Sequence, residues 1–431
     1  MSSLANWTGN FKQRYGRFIN PLPEENSMAE MAPFEQQDYR PGLGYNFPVV
    51  VGNEHGQTAD VSNTAFAFNA AIDSSILNAS LDGATVGLVG NVPYDVSFKG
   101  NNGAGNGSRG GAFWKPYDLK VKMLVQAANL YRELLLLYGC GGASFTTPAA
   151  NIGVIATTPA PAGTFTAGNV SSLTVASNAP GIWNQMTNAL VDVHNGATPR
   201  ETGVTVVGYN ADTGALSLSK AGSAVVPVAG DVIVPAGWKQ KSAVGLQAIM
   251  QNAGILFNIN AALVPMWKCV TIAVGGQMSR DVILGMASRL FPNGLTGGGR
   301  LFVSGPTFAD LVKQTFDLQR YEGNSDSVKQ QGAEKLTYKT AIGLVEVVLH
   351  RYMKNGIALF FPHGKVKRIG STDITFKGDG PNEFFFLELP SNAGYQLRAM
   401  QNQAPVIEIP YHAAIFTGIA NSATSGATGG V

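Results

Sequence analysis

The apolar positions divide the chain into stretches of different period. Over Tyr117 to Tyr138, YDLKVKMLVQAANLYRELLLLY, the residues Val121, Leu124, Ala128, Tyr131, Leu135 and Tyr138 recur at steps of three and four, the spacing of one helical face. Pro116 stands at the start, Asp118 in the first turn and Gly139 just past the end, which are start and stop signals. Such a helix is roughly 30 Å long.

Elsewhere the period is two or absent. Residues 1–45 are polar with prolines at 21, 23, 33 and 41, and read as an extended arm that orders on a neighbour. Phe47 to Val51 forms a strand, and LDGATVGLVGNVPYDVSFKG alternates around an Asp82-Gly83 turn signal, so residues 47–99 read as an elongated β hairpin. Residues 145–240 are rich in Ala, Val, Thr, Ser and Gly. There TGVTVVGYNADTGALSLSKAG predicts two strands joined at Asn210 to Gly214, and GDVIVPAG another.

From 242 the pattern mixes. Helices are predicted over Ser242 to Asn252, over Ser279 to Phe291 with Ser279 as N-cap, and after GRLFVSGP with Thr307 as cap and Asp310 three residues on. IGLVEVVLHRYM and GIALFFPHGKVKRIG read as strands around a Lys354-Asn355-Gly356 turn. The segment from Asn382 to Ile419 reads as three more, before a Gly/Ser-rich tail.

Composition sharpens this. The chain has 431 residues, 45% hydrophobic but only 13% charged, where about 25% charged is usual. Charge is depleted at the cores of interfaces, so the neutral surface suits coverage by further copies of the chain; a weakly charged β-rich protein is the plainer alternative. Lys+Arg is 30 and Asp+Glu 28, without the basic excess of a dedicated nucleic-acid binder. The N-terminus has no apolar core of a secretory signal, and no run of 18 apolar residues occurs. Neither export nor a membrane span is expected.

Candidate chemistry is sparse. KGNNGAGNGSRGGAFWKP, residues 99–116, carries glycines at 100, 103, 105, 107, 110 and 111. No Gly-Lys-[Ser/Thr] follows, the spacing departs from GxGxxG, and the helix begins about ten residues later, so a phosphate loop is disfavoured. The run reads as a hinge, with Gly103, Gly105, Gly107, Gly110 and Gly111 supplying backbone freedom. The histidines 55, 194, 350, 363 and 412 show no metal spacing. Cys140 and Cys269 fit no zinc or disulfide framework and read as buried thiols. No GxSxG elbow occurs, and the acidic pairs Glu24-Glu25 and Asp379 with Glu383 lie in an arm and a turn. Lys365, Lys367 and Arg368 form a small basic cluster, read as a solvated hairpin or a contact for an acidic partner or nucleic acid. No catalytic, cofactor or metal site is expected.

The ordered set of segments resembles the major capsid protein of tailed bacteriophages, the Hong Kong ninety-seven phage-type fold, in its podovirus-like branch. FPVVVGNEHGQTAD is similar to the start of that family's extended E-loop, and VPYDVSFKG to its return strand. Residues 117–138 are similar to the spine helix. APGIWNQMTNALVDVHNG and GDVIVPAGW resemble an inserted β region. GRLFVSGPTF, IGLVEVVLHRYM and FFFLELPSNAGYQLRAMQNQAPVIEIPYHAAIFTGI resemble A-domain and closing P-domain segments. The likeness covers about 40–420.

The resemblance implies an α+β fold: a tailed-phage major capsid fold with N-arm, E-loop, P-domain with long spine helix, A-domain and an inserted β-rich subdomain. The corresponding spans are 1–45 for the arm, 46–112 for the E-loop with its hinge and 113–150 for the spine helix. The β subdomain takes 151–241, the A-domain with P-domain segments 242–383, the closing strands 384–419 and the tail 420–431. It also implies self-association as pentamers and hexamers into an icosahedral shell enclosing double-stranded DNA, assembled in a host cytoplasm. Scaffolding and portal proteins are implied partners, a decoration protein a further one, with non-specific proximity to packaged DNA. The alternative is a secreted or surface β-rich adhesion protein, which calls for a signal peptide; a hydrolase calls for a convergent His/acid cluster.

Overall fold

In a computed structural model of the chain, the apolar repeat winds into one long helix whose second half is buried in the core. The structure describes residues 25–36, 44–59, 68–94, 116–141, 151–156, 171–176, 179–196, 198–210, 214–223, 225, 227–319, 336–376, 387–388 and 393–421. The first elements are α1 (Ser27–Met31), β1 (Phe34–Gln36), β2 (Tyr45–Gly52), β3 (Ser75–Leu81), β4 (Ala84–Pro93) and the long α2 (Pro116–Tyr138). Then come β5 (Gly153–Ile155), β6 (Ser171–Ala176), α3 (Pro180–Gln185), β7 (Leu190–Asn195), β8 (Thr198–Asn210), β9 (Ala215–Ser219) and β10 (Val232–Pro235). After them follow α4 (Leu246–Met250), β11 (Ile255–Leu256), β12 (Ile259–Asn260), β13 (Val270–Ala273), α5 (Arg280–Leu290), β14 (Gly299–Val303) and α6 (Gly305–Gln319). The chain closes with β15 (Leu336–Thr340), β16 (Gly343–Leu349), β17 (Ile357–Pro362), β18 (Val366–Thr375), β19 (Leu387–Glu388), β20 (Gly394–Ile407) and β21 (Ala414–Thr417).

The helix changes character along its length. In its first half Lys122 and Met123 are exposed, while Leu124 and Ala128 pack on Leu397 and Ala399 of β20. Val121 and Tyr131 are only half-buried. In its second half Leu134, Leu135, Leu136 and Leu137 are all fully buried and Tyr138 nearly so. A single apolar stripe therefore becomes a helix surrounded on every side, each such leucine contributing roughly 1.5–3 kcal/mol.

Gly139 ends α2, but its φ is not positive. Its role is close approach: Gly245 N–H donates to Gly139 O at 2.9 Å and Gly141 N–H to Ala243 O at 3.1 Å. A Cβ on Gly139 would strike the Ala243 carbonyl oxygen, and one on Gly245 the Gly139 nitrogen. Backbone meets backbone here because neither partner has a side chain.

Three β units share the core with the second half of the helix. In the first, β20 pairs with β4 from Ala84↔Gln403 to Pro93↔Gly394, and with β18, which carries β1 in parallel. The second is a six-stranded sheet ordered β13-β21-β17-β14-β16-β15, covered by α5 and α6. The third is a closed antiparallel barrel, β10-β5-β6-β9-β8-β7. Its interior holds Val191, Val193, Val204, Val206, Leu216, Leu218 and Ile233, all fully buried, and Gly214 at φ 67 closes the β8–β9 hairpin. Trp183 of α3 lies against Gly153, where a Cβ would come within 3.0 Å of the ring.

Several expectations are corrected. Residues 25–36 do not await a neighbour: Met28 and Ala32 are fully buried in the chain's own core. The turn expected at Lys354-Asn355-Gly356 is present at Asn355 and Gly356, with Gly356 at φ 83, but β16 and β17 both flank β14 and do not pair with each other, so the turn closes a crossover. The Asp82-Gly83 turn joins strands of two different sheets, since β3 pairs with β2 and β4 with β20. The helix expected over 242–252 contracts to Leu246–Met250. α6 starts at Gly305, ahead of Thr307, whose hydroxyl instead meets Ser304 Oγ at 3.1 Å and Asn421 Oδ1 at 2.9 Å. Ser279 does cap α5, accepting from Val282 N–H. The hinge glycines 103, 105, 107, 110 and 111 lie outside the described residues.

Candidate assembly surface and buried junction

The β2–β3 ribbon has two strands, and such a pair is marginal alone in water. Its root is secured: Tyr45, Ala79 and Leu81 are buried, Phe47 stacks on Trp267 at 6.3 Å, and Trp267 Nε1–H donates to Leu256 O at 3.0 Å. Ser80 N–H donates to Phe257 O at 3.0 Å. Phe257 and Asn258 hold positive φ, 50° and 68°, a conformation costing on the order of 1–3 kcal/mol for a bulky residue.

Beyond the root the ribbon is bare. Val50 and Ile76 face each other across it, and each is 57% exposed. In the connecting segment Phe68 is 82% and Ile72 61% exposed. Large apolar side chains presented together on a thin ribbon mark a contact surface.

A second concentration of chemistry is buried. Glu133 of α2 accepts from Ala29 N–H at 2.9 Å, and its other oxygen lies 3.3 Å from His350 Nε2. Tyr352 N–H donates to His350 Nδ1 at 3.1 Å, so the ring hydrogen sits on Nε2 and points at Glu133. Tyr138 hydroxyl donates to Tyr352 O at 2.5 Å and accepts from Lys354 N–H at 3.2 Å. Lys354 Nζ donates to Asn151 Oδ1 at 3.1 Å and lies 4.6 Å from the Tyr138 ring centre. Burial raises the Tyr138 phenol and pulls the Lys354 amine down to about 7.

Of the residues singled out from the sequence, Leu135 and Tyr138 border this junction, whereas Leu124 and Ala128 lie under the β20 sheet. Lys365, Lys367 and Arg368 are neither a solvated hairpin nor a free basic face. Lys367 Nζ lies 2.6 Å from Glu35 and 2.7 Å from Glu408, and Lys365 pairs with Glu408 at 3.7 Å. Arg368 donates to Ala32 O at 2.7 Å and to Gln403 at 3.0 Å. The cluster fastens the N-terminal strap to β18. Cys140 and Cys269 are buried free thiols. Among the described residues no three His, Cys, Asp or Glu converge on a metal position, and no helix is long and apolar enough to cross a membrane. Glu24, Asp379 and Glu383 lie outside the described residues. Glu133, Asn151 and Lys354 escaped the sequence reading; the lone carboxylate inside YRELLLLY was the signal available for the first.

No family model and no curated protein matches the chain. Among solved structures, the capsid asymmetric unit of cyanophage A-1(L) matches 95% of this chain and 96% of its own, with TM-score 0.52 at 10% identity. The capsid of the native GTA particle matches 95% of each chain at TM-score 0.48 and 7% identity. The SrpI encapsulin of Synechococcus elongatus PCC 7942 matches 97% of this chain and 96% of its own at 0.42 and 7%, a score too low, like the previous one, to add weight. The class this architecture defines is a mixed α+β fold of the phage-capsid type. More particularly, the chain shares the fold of the cyanophage A-1(L) capsid subunit over 95% of its length.

Proposed function

We propose that this chain is the major capsid protein of a tailed phage, a structural subunit and not an enzyme. It assembles as pentamers and hexamers into an icosahedral shell around double-stranded DNA. The observation that carries the reading is the fold shared with the cyanophage A-1(L) capsid over 95% of the chain. In this reading the β2–β3 ribbon is the E-loop, α2 the spine helix, the β20 sheet the P-domain, and the barrel an inserted subdomain. The six-stranded sheet is the A-domain, so β21 leaves the 384–419 span of closing P-domain strands and β4, paired with β20, leaves the 46–112 span of the E-loop.

The exposed Val50–Ile76 pair supports this, because a covering partner would remove that apolar area from water. So does the 13% charge, since permanent interfaces of about 2,000 Å² or more are poor in charge. The balance of 30 basic and 28 acidic residues suits a wall that must not clamp the DNA it holds. Scaffolding and portal proteins are the proposed assembly partners, a decoration protein a further one, in a host cytoplasm. Residues 100–111 are proposed as the hinge between ribbon and helix.

The test is electron microscopy of the purified chain, produced alone and with its phage's scaffolding protein. Closed shells or ring-shaped capsomers are expected. Monomers alone in both preparations, at high concentration, would overturn the reading.

A further inference from the structure

The buried junction links parts of the chain far apart in sequence. Hydrogen bonds run from Ala29 through Glu133, His350, Tyr352, Tyr138 and Lys354 to Asn151 without a break. One end is the N-terminal strap on the spine helix. The other is the root of the barrel, where Ile152 N–H donates to Ile233 O at 3.0 Å. Lys354 makes the last link, and both it and Asn151 are 1% exposed.

That link is chemically unusual. The Lys354 amine has one carbonyl oxygen and one aromatic face, and among the described residues no carboxylate stands within ion-pair distance of it. These two contacts do not offset the dehydration of an ammonium. The titratable groups around it are Glu133 and Tyr138 on α2, and His350, Arg351 and Tyr352 on its own segment, with Glu25 of the strap felt at Tyr352. Glu133 is already engaged by Ala29 and His350. From the barrel root and α3, Asn151, Gly181 and Gln185 reach this segment, and none of these three is charged.

We propose that Lys354 is a proton-operated latch: as the free amine it holds the barrel's root to the spine helix, and protonation weakens that hold. Burial places its pKa at about 7, against an ordinary 10.5 in an opened, hydrated root. The opened root therefore binds the proton more readily between those values. Opening grows roughly tenfold for each pH unit descended from 10.5 toward 7, then levels off. The latch is tight in alkali and loosest at and below neutrality.

Cys140 reports on it. This thiol is fully buried two residues past Tyr138 and accepts from the Ser242 hydroxyl at 3.5 Å across the barrel's neck. Cys269, which directly precedes β13 of the six-stranded sheet, is also buried and serves as the internal reference. Labelling of both thiols in the full chain under native conditions is compared between wild type and Lys354→Met from pH 9 to pH 5.5. Taking the ratio at each pH cancels thiol ionisation and His194, which are common to both proteins. The Cys140 rate in wild type, relative to the variant, should rise about tenfold per unit from pH 9 to 7 and stay level below. A flat ratio overturns the latch. So does a parallel rise at Cys269, which signals global loss of stability. If Lys354→Met does not fold, Lys354→Gln keeps the donor to Asn151 without the proton site and takes its place.

Discussion

Glu133 and His350 meet at 3.3 Å with neither side chain exposed to solvent. The geometry fixes the imidazole tautomer, since Tyr352 N–H occupies Nδ1. The carboxylate thus serves two donors from opposite sides: the strap's Ala29 and the imidazole. Removing it leaves both unpaired in the core, at about 1–3 kcal/mol each. Glu133→Ala should lower unfolding free energy in urea by roughly 2–5 kcal/mol. Glu133→Gln should fall between, because an amide accepts from one donor but presents N–H to the other. Equal stability of all three proteins would show that the pair contributes nothing.

Leu124→Asp and Leu135→Asp place a carboxylate without a partner against apolar surroundings, costing several kcal/mol. Leu135 is fully buried among helix and barrel-neck residues, whereas Leu124 sits at 7% exposure under the β20 sheet. Soluble yield should vanish for Leu135→Asp and drop less for Leu124→Asp. Full yield of assembled particles from Leu135→Asp would contradict the packing described.

Val50→Asp and Ile76→Asp probe the ribbon. Both positions are open to water in the isolated subunit, so thermal stability should change by no more than about 0.5 kcal/mol. Shell formation, read by sedimentation and electron microscopy, should fail. Normal shells from the double variant would remove the ribbon from the assembly contacts.

Replacing Gly103, Gly105 and Gly107 together by alanine should leave the subunit folded by circular dichroism but impair shell assembly or expansion. The physical basis is the dihedral freedom alanine lacks. Unimpaired assembly of this triple variant would end the hinge reading.

His194 gives a stability prediction with a definite sign. Both ring nitrogens are buried with no hydrogen-bond partner among the described residues. Burial is the main cause holding its pKa below the ordinary 6.5, with Asp192 opposing and Lys239 assisting. The unfolded chain therefore binds the proton first, and stability falls as pH drops from 6.5 through the lower, folded value. His194→Phe should flatten this part of the melting-temperature profile between pH 7 and 5. An unchanged slope would place the titration elsewhere.

What could be read from the chain alone follows a physical line. α2 was legible because a 3.6-residue period persists through it, and the β8–β9 hairpin because Asn210 to Gly214 carries local turn chemistry. The strap was not: three residues of β1 have no usable period, and its burial depends on Arg368 reaching Ala32 from the far end of the chain. Lys354 read as a turn residue because MKNG is turn-like locally. The turn is there at Asn355-Gly356, but the parallel pairing of β14 with β16, a non-local choice, puts it at the end of a crossover and buries Lys354. Gly139 was recognised as an end signal for the wrong reason, since the partner backbone that excludes a side chain there lies at Ala243 and Gly245.

That same glycine contact has a consequence for how the molecule can change. Cys140 and Val244 form a single antiparallel bridge, so the chain departs for the barrel and returns from it at one doorway. The helix and the two sheets are topologically closed without the excursion between. Such a doorway accepts exchange: a shorter loop, a different domain or a foreign epitope spliced between Gly141 and Ser242 leaves the threading of the remaining body untouched.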